Sequence, residues 1–191
     1  MTLAKSEVTR EAILEAARNA FARRGYTGTS VTDITEGLHV TRANFYYYYR
    51  DKKELFVELG TATYRESSAV IDSFDKLDDR PDLASVHTWV ENYFRYLDRN
   101  GAYLLRSMDD APDDDEFRAT VTRLHRNSAR RLGRCIRDRS AKGTFTSPVA
   151  LGMSVMAMLE RSWLLADTAS VDSTSASAIR STAEILFQIM Q

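Results

Sequence analysis

Apolar residues recur three and four positions apart along nearly the whole chain, and this pattern restricts the fold more than any other feature. Strand-like alternation is nearly absent. Only three prolines and eight glycines interrupt 191 residues. The fold class that follows is all-α, with about nine helices. Between Thr9 and Arg24, Ile13, Leu14, Ala17, Ala20 and Phe21 form one face, Thr9 is a candidate cap and Gly25 a natural stop. A polar connection, Tyr26 to Ser30, precedes a short helix Val31 to Leu38. Ser30 and Asp33 have capping-box spacing there. After a turn at Leu38-His39-Val40, Thr41 caps a second short helix, Arg42 to Tyr48.

Asp51 and Glu54 repeat the capping-box spacing at the start of a long helix to about Phe74. Further helices are expected over 83–98, 102–108, 116–137, 148–166 and 178–190. The expected breaks are Asn100-Gly101, the turn Lys142-Gly143-Thr144 and a polar connector from Ser170 to Ser177. Asp109 to Glu116 holds six acids in eight residues and reads as a solvated loop running into a helix N-terminus. In the helix after it, Phe117, Val121, Leu124, Ser128, Leu132 and Cys135 line one stripe. Arg123, Arg126, Arg130, Arg134 and Arg137 line the opposite one. That arginine stripe fits an anionic partner or, more simply, a solvated face with acidic neighbours. The helix opened by Pro148 is apolar nearly all round, so part of it is expected to be buried against a second copy of the chain.

Composition excludes several classes. Lys plus Arg number 26 and Asp plus Glu 27, for a net charge of −1, which rules out a nonspecific polycation. Up to Leu59 there are nine cationic and eight acidic residues. A single cysteine, Cys135, excludes an internal disulfide framework and a thiolate zinc site. No apolar run is expected to reach the roughly 18 residues of a bilayer span, and the first residues lack a signal-peptide core, so the expected compartment is the cytoplasm, with no membrane partner. A glycine-rich phosphate loop, a His-Glu-x-x-His motif and a nucleophile elbow are all absent from the sequence, so the chain is not expected to be an enzyme. No metal or cofactor is implied. His87 and His125 stand apart from any ligand-spaced partner and read as structural histidines.

Two short helices and a tight turn between longer helices have the organisation of a helix-turn-helix. In the second, Phe45 and Tyr49 can face inward with Leu38, which turns Ala43, Asn44 and Tyr47 outward and puts Arg42 and Tyr46 on the flanks. Arginine forks onto guanine and asparagine pairs with adenine. A small alanine permits close approach to a base edge. Tyrosine hydroxyls donate to phosphates. Arg50, Lys52 and Lys53 follow at the start of the next helix, where cations and free N–H groups suit phosphate. A helix cannot bury Tyr46, Tyr47, Tyr48 and Tyr49 on one side, so an exposed aromatic cluster is expected beside these cations.

From Ile13 to Leu59 the chain resembles the TetR family of transcription regulators. The resemblance runs through Ala17, Phe21, Gly25-Tyr26, Thr29-Ser30-Val31, Ile34, Val40-Thr41, Phe45-Tyr46 and Lys52-Lys53-Glu54-Leu55. It implies an all-α homodimer on a palindromic double-stranded DNA operator. A DNA-binding domain over 1–50 would precede a ligand-binding and dimerisation domain over 51–191, with the helix 51–74 joining them. It also implies that Arg42, Ala43, Asn44 and Tyr47 face bases, and that Thr29, Ser30, Tyr46, Tyr48 and Lys52 hold phosphates. His39 stands where the family usually has a turn glycine, and could serve as a pH-sensitive contact. Ala43-Asn44 and Tyr48-Tyr49 also depart from the usual pairs, which bears on the operator sequence.

The C-terminal half is rich in aromatic residues and methionines, which suits an apolar cavity with polar tips. Trp89, Tyr93, Tyr96, Tyr103, Leu104, Met108, Leu124, His125, Met153, Met156 and Trp163 are candidate lining residues, and a plain core accounts for each of them as well. The expected function is a repressor released from DNA by a hydrophobic or aromatic small molecule. A transcriptional activator of the same fold and a helical protein-interaction module stand as alternatives.

Overall fold

Eight helices account for the described residues of the computed structural model, which are 2–38, 40–140, 145–168 and 172–191, and no strand occurs among them. They are α1 (Thr2–Arg24), α2 (Val31–Thr35), α3 (Arg42–Tyr48), α4 (Lys52–Phe74), α5 (Leu83–Asp109), α6 (Asp115–Arg139), α7 (Pro148–Thr168) and α8 (Asp172–Met190). The expected turns at His39 and Lys142-Gly143-Thr144, and Ser170 of the expected connector, lie outside the described residues.

Local signals set the ends of the short helices. Ser30 caps α2 through a full capping box with Asp33, and Thr41 accepts from the Asn44 N–H to cap α3. At α4 the box opens out. Asp51 accepts from the Glu54 N–H, but the Glu54 carboxylate reaches back to the N–H of Arg50. Three expected boundaries are corrected. Helix α1 begins at Thr2, upstream of Thr9. Helix α2 ends at Thr35, because the backbone turns left-handed at Gly37 (φ 87°), a conformation glycine adopts without cost. Helix α8 begins at Asp172, inside the expected connector.

The largest correction is α5. It runs unbroken through Asn100-Gly101, which is why eight helices replace nine. The Asn100 amide donates to Glu66 and to the Tyr96 carbonyl, so it is held inside the helix. Gly101 is there for space. A Cβ at that position would stand 2.5 Å from the Trp163 ring. Trp163 in turn donates its indole N–H to Asp98 at 2.9 Å.

The chain divides into two compact units. The first comprises Met1–Thr63 with Ala102–Phe117, the second Tyr64–Gly101 with Arg118–Gln191. The first buries Ile13, Ala17, Ala20, Phe21, Ile34, Phe45, Tyr49, Leu55, Phe56, Leu59 and Tyr103 in one core. Phe21, Phe56 and Tyr103 meet edge to face or tilted, and the Tyr103 hydroxyl donates to the Phe56 carbonyl at 3.2 Å. Tyr103 therefore belongs to this core and is withdrawn from the expected cavity wall. Met108 is withdrawn too, because it is 54% exposed.

In the second unit α6 and α7 approach closely at Gly133 and Gly152. A Cβ on Gly133 would collide with the Pro148 carbonyl, and one on Gly152 with the Ala129 carbonyl. The buried stripe of α6 is Ser128, Ala129, Leu132, Gly133 and Ile136, shifted from the expected one. Val121 is exposed and Cys135 half-buried. Helix α7 packs along α8. Its stretch Pro148–Ala166 is long and apolar enough, by length and composition, to cross a membrane, which corrects the expectation that no such run exists. It carries Glu160 and Arg161, and its buried face joins the core through Leu151, Val155, Met156, Leu159 and Trp163.

Glu160 is 9% exposed, and burial pushes its carboxyl up to about 7, with the fully buried Tyr93 within electrostatic reach. An acid whose folded pKa is raised binds its proton more tightly folded than unfolded. Its contribution favours folding at low pH and falls away as pH rises from the unfolded value of 4.5 to about 7. Glu160→Gln is expected to gain about 2–3 kcal/mol over the native chain at pH 8 relative to pH 4.5, read from urea unfolding at both pH values. Gly133→Ala is expected to cost about 3 kcal/mol in the same measurement, because backbone has to move apart.

Candidate nucleic-acid interface

Helix α3 is held by two aromatic side chains. Phe45 and Tyr49 are buried, with ring centroids 5.8 Å apart. The Tyr49 hydroxyl meets Glu58 of α4 at 3.4 Å, and Arg10 of α1 closes on the same carboxylate at 2.5 Å. The Arg10 guanidinium also lies 5.7 Å from the Tyr49 ring centre. Burial, followed by the Glu58 charge, raises the Tyr49 phenol well above its ordinary range, so it stays a neutral donor. Helices α1 and α4 thus fix the rotation of α3 about its axis.

That rotation decides what faces solvent. Arg42, Ala43, Asn44, Tyr46 and Tyr47 are exposed, Tyr47 to 79%, and Tyr48 is half-buried with its ring edge-on to Tyr47 at 5.0 Å. Ser30 is exposed at the N-cap of α2. The structure therefore brings Arg42, Ala43, Asn44, Tyr46 and Tyr47 together on the outer side of one helix, with Tyr48 at its edge.

Thr29 does not join them. It is buried, and its hydroxyl donates to the Gly25 carbonyl at 2.6 Å, so it shapes the bend between α1 and α2 and offers nothing to a phosphate. Lys52 sits between the two roles. Its ammonium donates to the carbonyls of Tyr26 and Thr29, each at 2.6 Å, and lies 4.2 Å from the Tyr26 ring centre. Burial lowers its pKa, against the opposing pull of Asp110 and Asp33. Lys53, expected in the cationic flank, is paired with Asp114 at 2.5 Å. The hydrogen bond and charge of Asp114 raise the Lys53 pKa, and Lys53 lowers that of Asp114. Arg50 keeps an exposed guanidinium, 3.5 Å from Asp51, and is the cation of the flank most open to solvent.

The acids of 109–116 were expected in a solvated loop, and two of them are structural. Asp110 accepts from the N–H and hydroxyl of Thr27, the latter at 2.7 Å. Asp114 caps α6 through the Phe117 N–H as well as holding Lys53. Asp33 pairs with Arg24 while closing the α2 box, and the Ser30 hydroxyl and N–H hold its carboxyl below the usual range. Sequence spacing carries no signal for a contact such as Thr27 to Asp110, which joins residues far apart in the chain.

The candidate cavity residues scatter. Trp89, Tyr93, Tyr96, Met156 and Trp163 are buried in the second unit, where Leu124 and His125 are half-buried and Met153 is exposed. Leu104 lies half-buried in the first unit. Trp89, Tyr93 and Tyr96 form a ladder of ring contacts at 5.4 and 5.8 Å. Burial lowers the His125 pKa.

A capped seven-residue helix, clamped on one side and polar-aromatic on the other, with a second short helix before it, defines a helix-turn-helix protein. Residues 13–59 match the family model described as bacterial regulatory proteins, tetR family, and over this segment the chain is similar to the TetR family of transcriptional regulators. The transposon Tn10 TetC protein of Escherichia coli is 26% identical over 99 residues, 51% of this chain and 48% of that protein. The biofilm operon icaADBC HTH-type negative transcriptional regulator IcaR of Staphylococcus epidermidis is 32% identical over 47 residues, 25% of each chain. The chain thus spans about half the length of the first of these relatives and a quarter of the second. Among solved structures, the TetR family transcriptional regulator PfmR from Thermus thermophilus superposes with a TM-score of 0.72 at 20% identity. The match covers 92% of this chain and 97% of that one, and shows a shared fold.

Lys52→Met removes the bridge to two carbonyls ahead of α2. It is expected to cost about 1 kcal/mol of stability, discounted for partial exposure, read as a lower urea midpoint. Arg50→Met, with no comparable internal partner, is expected to leave the midpoint unchanged.

Proposed function

We propose that the chain is a DNA-binding transcriptional repressor that reads a palindromic operator as a homodimer and leaves it when a small molecule binds. The observation that carries the DNA half is the division of α3. Phe45 and Tyr49 are buried, while Arg42, Ala43, Asn44 and Tyr47 share the exposed side. On this reading those four face base edges in the major groove. Ser30, Tyr46 and Tyr48 hold phosphates, and Lys52 adds its third N–H. Arg50 extends the cationic flank. Residues 1–50 serve DNA, and 51–191 serve the effector and the dimer. A palindrome requires two copies of α3 about 34 Å apart. The exposed apolar side chains Met153 and Leu165 of α7 and Ile185 of α8 support a second copy on those helices. The repressor sign is supported by the negative regulator IcaR among the relatives.

The effector is proposed to be a hydrophobic or aromatic molecule taken up in the second unit, where Trp89, Tyr93 and Tyr96 offer ring faces and Glu160 and Tyr93 polar tips. It acts by population shift. A ligand that favours an arrangement with the wrong half-site spacing lowers DNA affinity by its preference for that arrangement. Helix α4 contributes residues to both units and is the natural lever.

Gel retardation with a selected operator tests the DNA half. Arg42→Ala and Asn44→Ala are each expected to weaken binding about 10- to 100-fold and to relax base choice at one position. Tyr46→Phe should weaken binding to all sequences alike and by less. A triple alanine variant of Arg42, Asn44 and Tyr47 that kept the native footprint would overturn the assignment of α3. The small cationic footprint predicts a shallow dependence of affinity on salt.

A further inference from the structure

Five buried side-chain polar atoms have no hydrogen-bond partner among the described residues, and all five lie in the second unit. They are Ser68 Oγ, Ser128 Oγ, Arg131 Nε, Arg131 Nη2 and Ser140 Oγ. The first four belong to α4 and α6, which meet through Asp72 and Arg131. The two helices run in the same direction. Arg131 meets Asp72 at 3.0 Å, Cys135 meets Asp75 at 3.5 Å, and Arg139 donates to the Asp78 carbonyl at 3.0 Å. Asp72 lies in the last turn of α4, and Asp75 and Asp78 follow after its end, so the order of the three contacts gives the direction. Ser68 lies one turn before Asp72 in α4 and Ser128 about one turn before Arg131 in α6, so the direction of the two helices carries both unpartnered hydroxyls to the same side of the Asp72–Arg131 contact. Ser128 is 2% exposed. Ser128 and Arg131, three apart, share a helix face, as do Ser68 and Asp72, four apart.

The arginine is divided in a telling way. Its Nη1 is held by Asp72 and the side chain as a whole is 41% exposed, yet Nε and Nη2 are themselves covered and have no partner among the described residues. Those two nitrogens form the side-on edge of the guanidinium, whose parallel N–H bonds match the two coplanar oxygens of a carboxylate. Leaving such donors buried and unmet costs stability, so natural chains rarely keep them without an acceptor. Asp72 already offsets the Arg131 charge, which favours a monoanion over a phosphate dianion.

We propose that the seam between α4 and α6 binds the carboxylate of a small molecule, gripped side-on by Arg131 Nε and Nη2 and bonded by the hydroxyls of Ser128 and Ser68. This deepens the effector half of the proposed function by naming an acid group on the ligand. Helix α4 supplies Ser68 and Asp72 and α6 supplies Ser128 and Arg131, so occupancy ties the two helices together there.

The test uses the full chain and acetate, the smallest carboxylate with a methyl tail, read as the melting temperature at fixed ionic strength. Acetate is expected to give a saturable rise over roughly 1–100 mM. Matched chloride and neutral acetamide should give none. Arg131→Lys keeps the charge and loses the fork, and should raise the half-saturating concentration about tenfold. Ser128→Ala should raise it about threefold. Asp72→Asn should lower it about threefold, a change that a damaged fold cannot mimic. Acetate indistinguishable from chloride overturns the site. So does an acetate response in Arg131→Lys and Ser128→Ala equal to that of the native chain, or an unaltered response in Asp72→Asn. The readout is stability without DNA, so failure here leaves DNA reading by α3 standing, and failure in gel retardation leaves this site standing.

Discussion

The contact between Tyr49 and Glu58, closed from the other side by Arg10, sets what α3 presents to solvent. A seven-residue helix has too little cooperative backbone bonding to hold itself, so its stability and orientation come from the neighbours on which it packs. Phe45 supplies the area and Tyr49 supplies the direction. A residue in an α-helix turns 100° from the one before it, so burying positions 45 and 49 leaves 43, 44 and 47 pointing away. The exposed aromatic and polar side of α3 is thus a geometric consequence of what the inner side buries. Rotating the helix to bury Tyr47 would expose Phe45.

Charge in the first unit is arranged to keep this surface cationic while the molecule as a whole is nearly neutral. Asp33 is occupied by Ser30 and Arg24, Asp110 by Thr27, and Asp114 by Lys53 and the α6 N-terminus. Each acid is committed to a structural donor, so Arg42 and Arg50 remain the cations beside α3 with exposed guanidinium groups. The cationic character was expected from Arg42, Arg50, Lys52 and Lys53 together. The structure spends Lys53 on an ion pair and most of Lys52 on two carbonyls, which leaves a narrower positive footprint.

What the sequence discloses follows the range of the interaction. Capping is local chemistry over three residues, and Ser30-Asp33, Thr41-Asn44 and Asp51-Glu54 all mark helix starts where the spacing predicts them. The interior pair Phe45 and Tyr49 follows from helical period alone. Long-range contacts have no such trace. Asn100-Gly101 reads as a stop, yet Trp163, more than sixty residues later, fills the space beside Gly101, and Glu66 takes up the Asn100 amide. Tyr103 reads as cavity wall and turns out to donate to Phe56 inside the core of the first unit, to which both belong. The α6 stripe slips for the same reason. Gly133 and Ala129 are inward because α7 comes close there, and two small residues in an arginine-rich helix give no hydrophobic signal.

The two units differ in how completely their buried polar groups are met. In the first, Arg18 is buried and bonds Glu15 and Thr63, Thr29 bonds backbone carbonyls, and Tyr103 has its acceptor. In the second, Glu160 holds a carboxyl that burial keeps partly protonated near neutral pH, and Ser68, Ser128 and Arg131 keep donors without acceptors. Among the described residues, the buried side-chain polar atoms without a partner fall in the second unit, beside others there, such as the Asn100 amide and the Trp163 indole, that are met. Local inconsistency of this kind concentrates where a molecule is built for a partner or a second state. A DNA-reading surface works best rigid, because loose side chains lose entropy on binding. A unit that must answer to a ligand needs two arrangements of similar free energy, and incompletely satisfied polar groups narrow the gap between them. The placing of these unmet groups in the second unit therefore has the same form as the division of labour proposed for the two units.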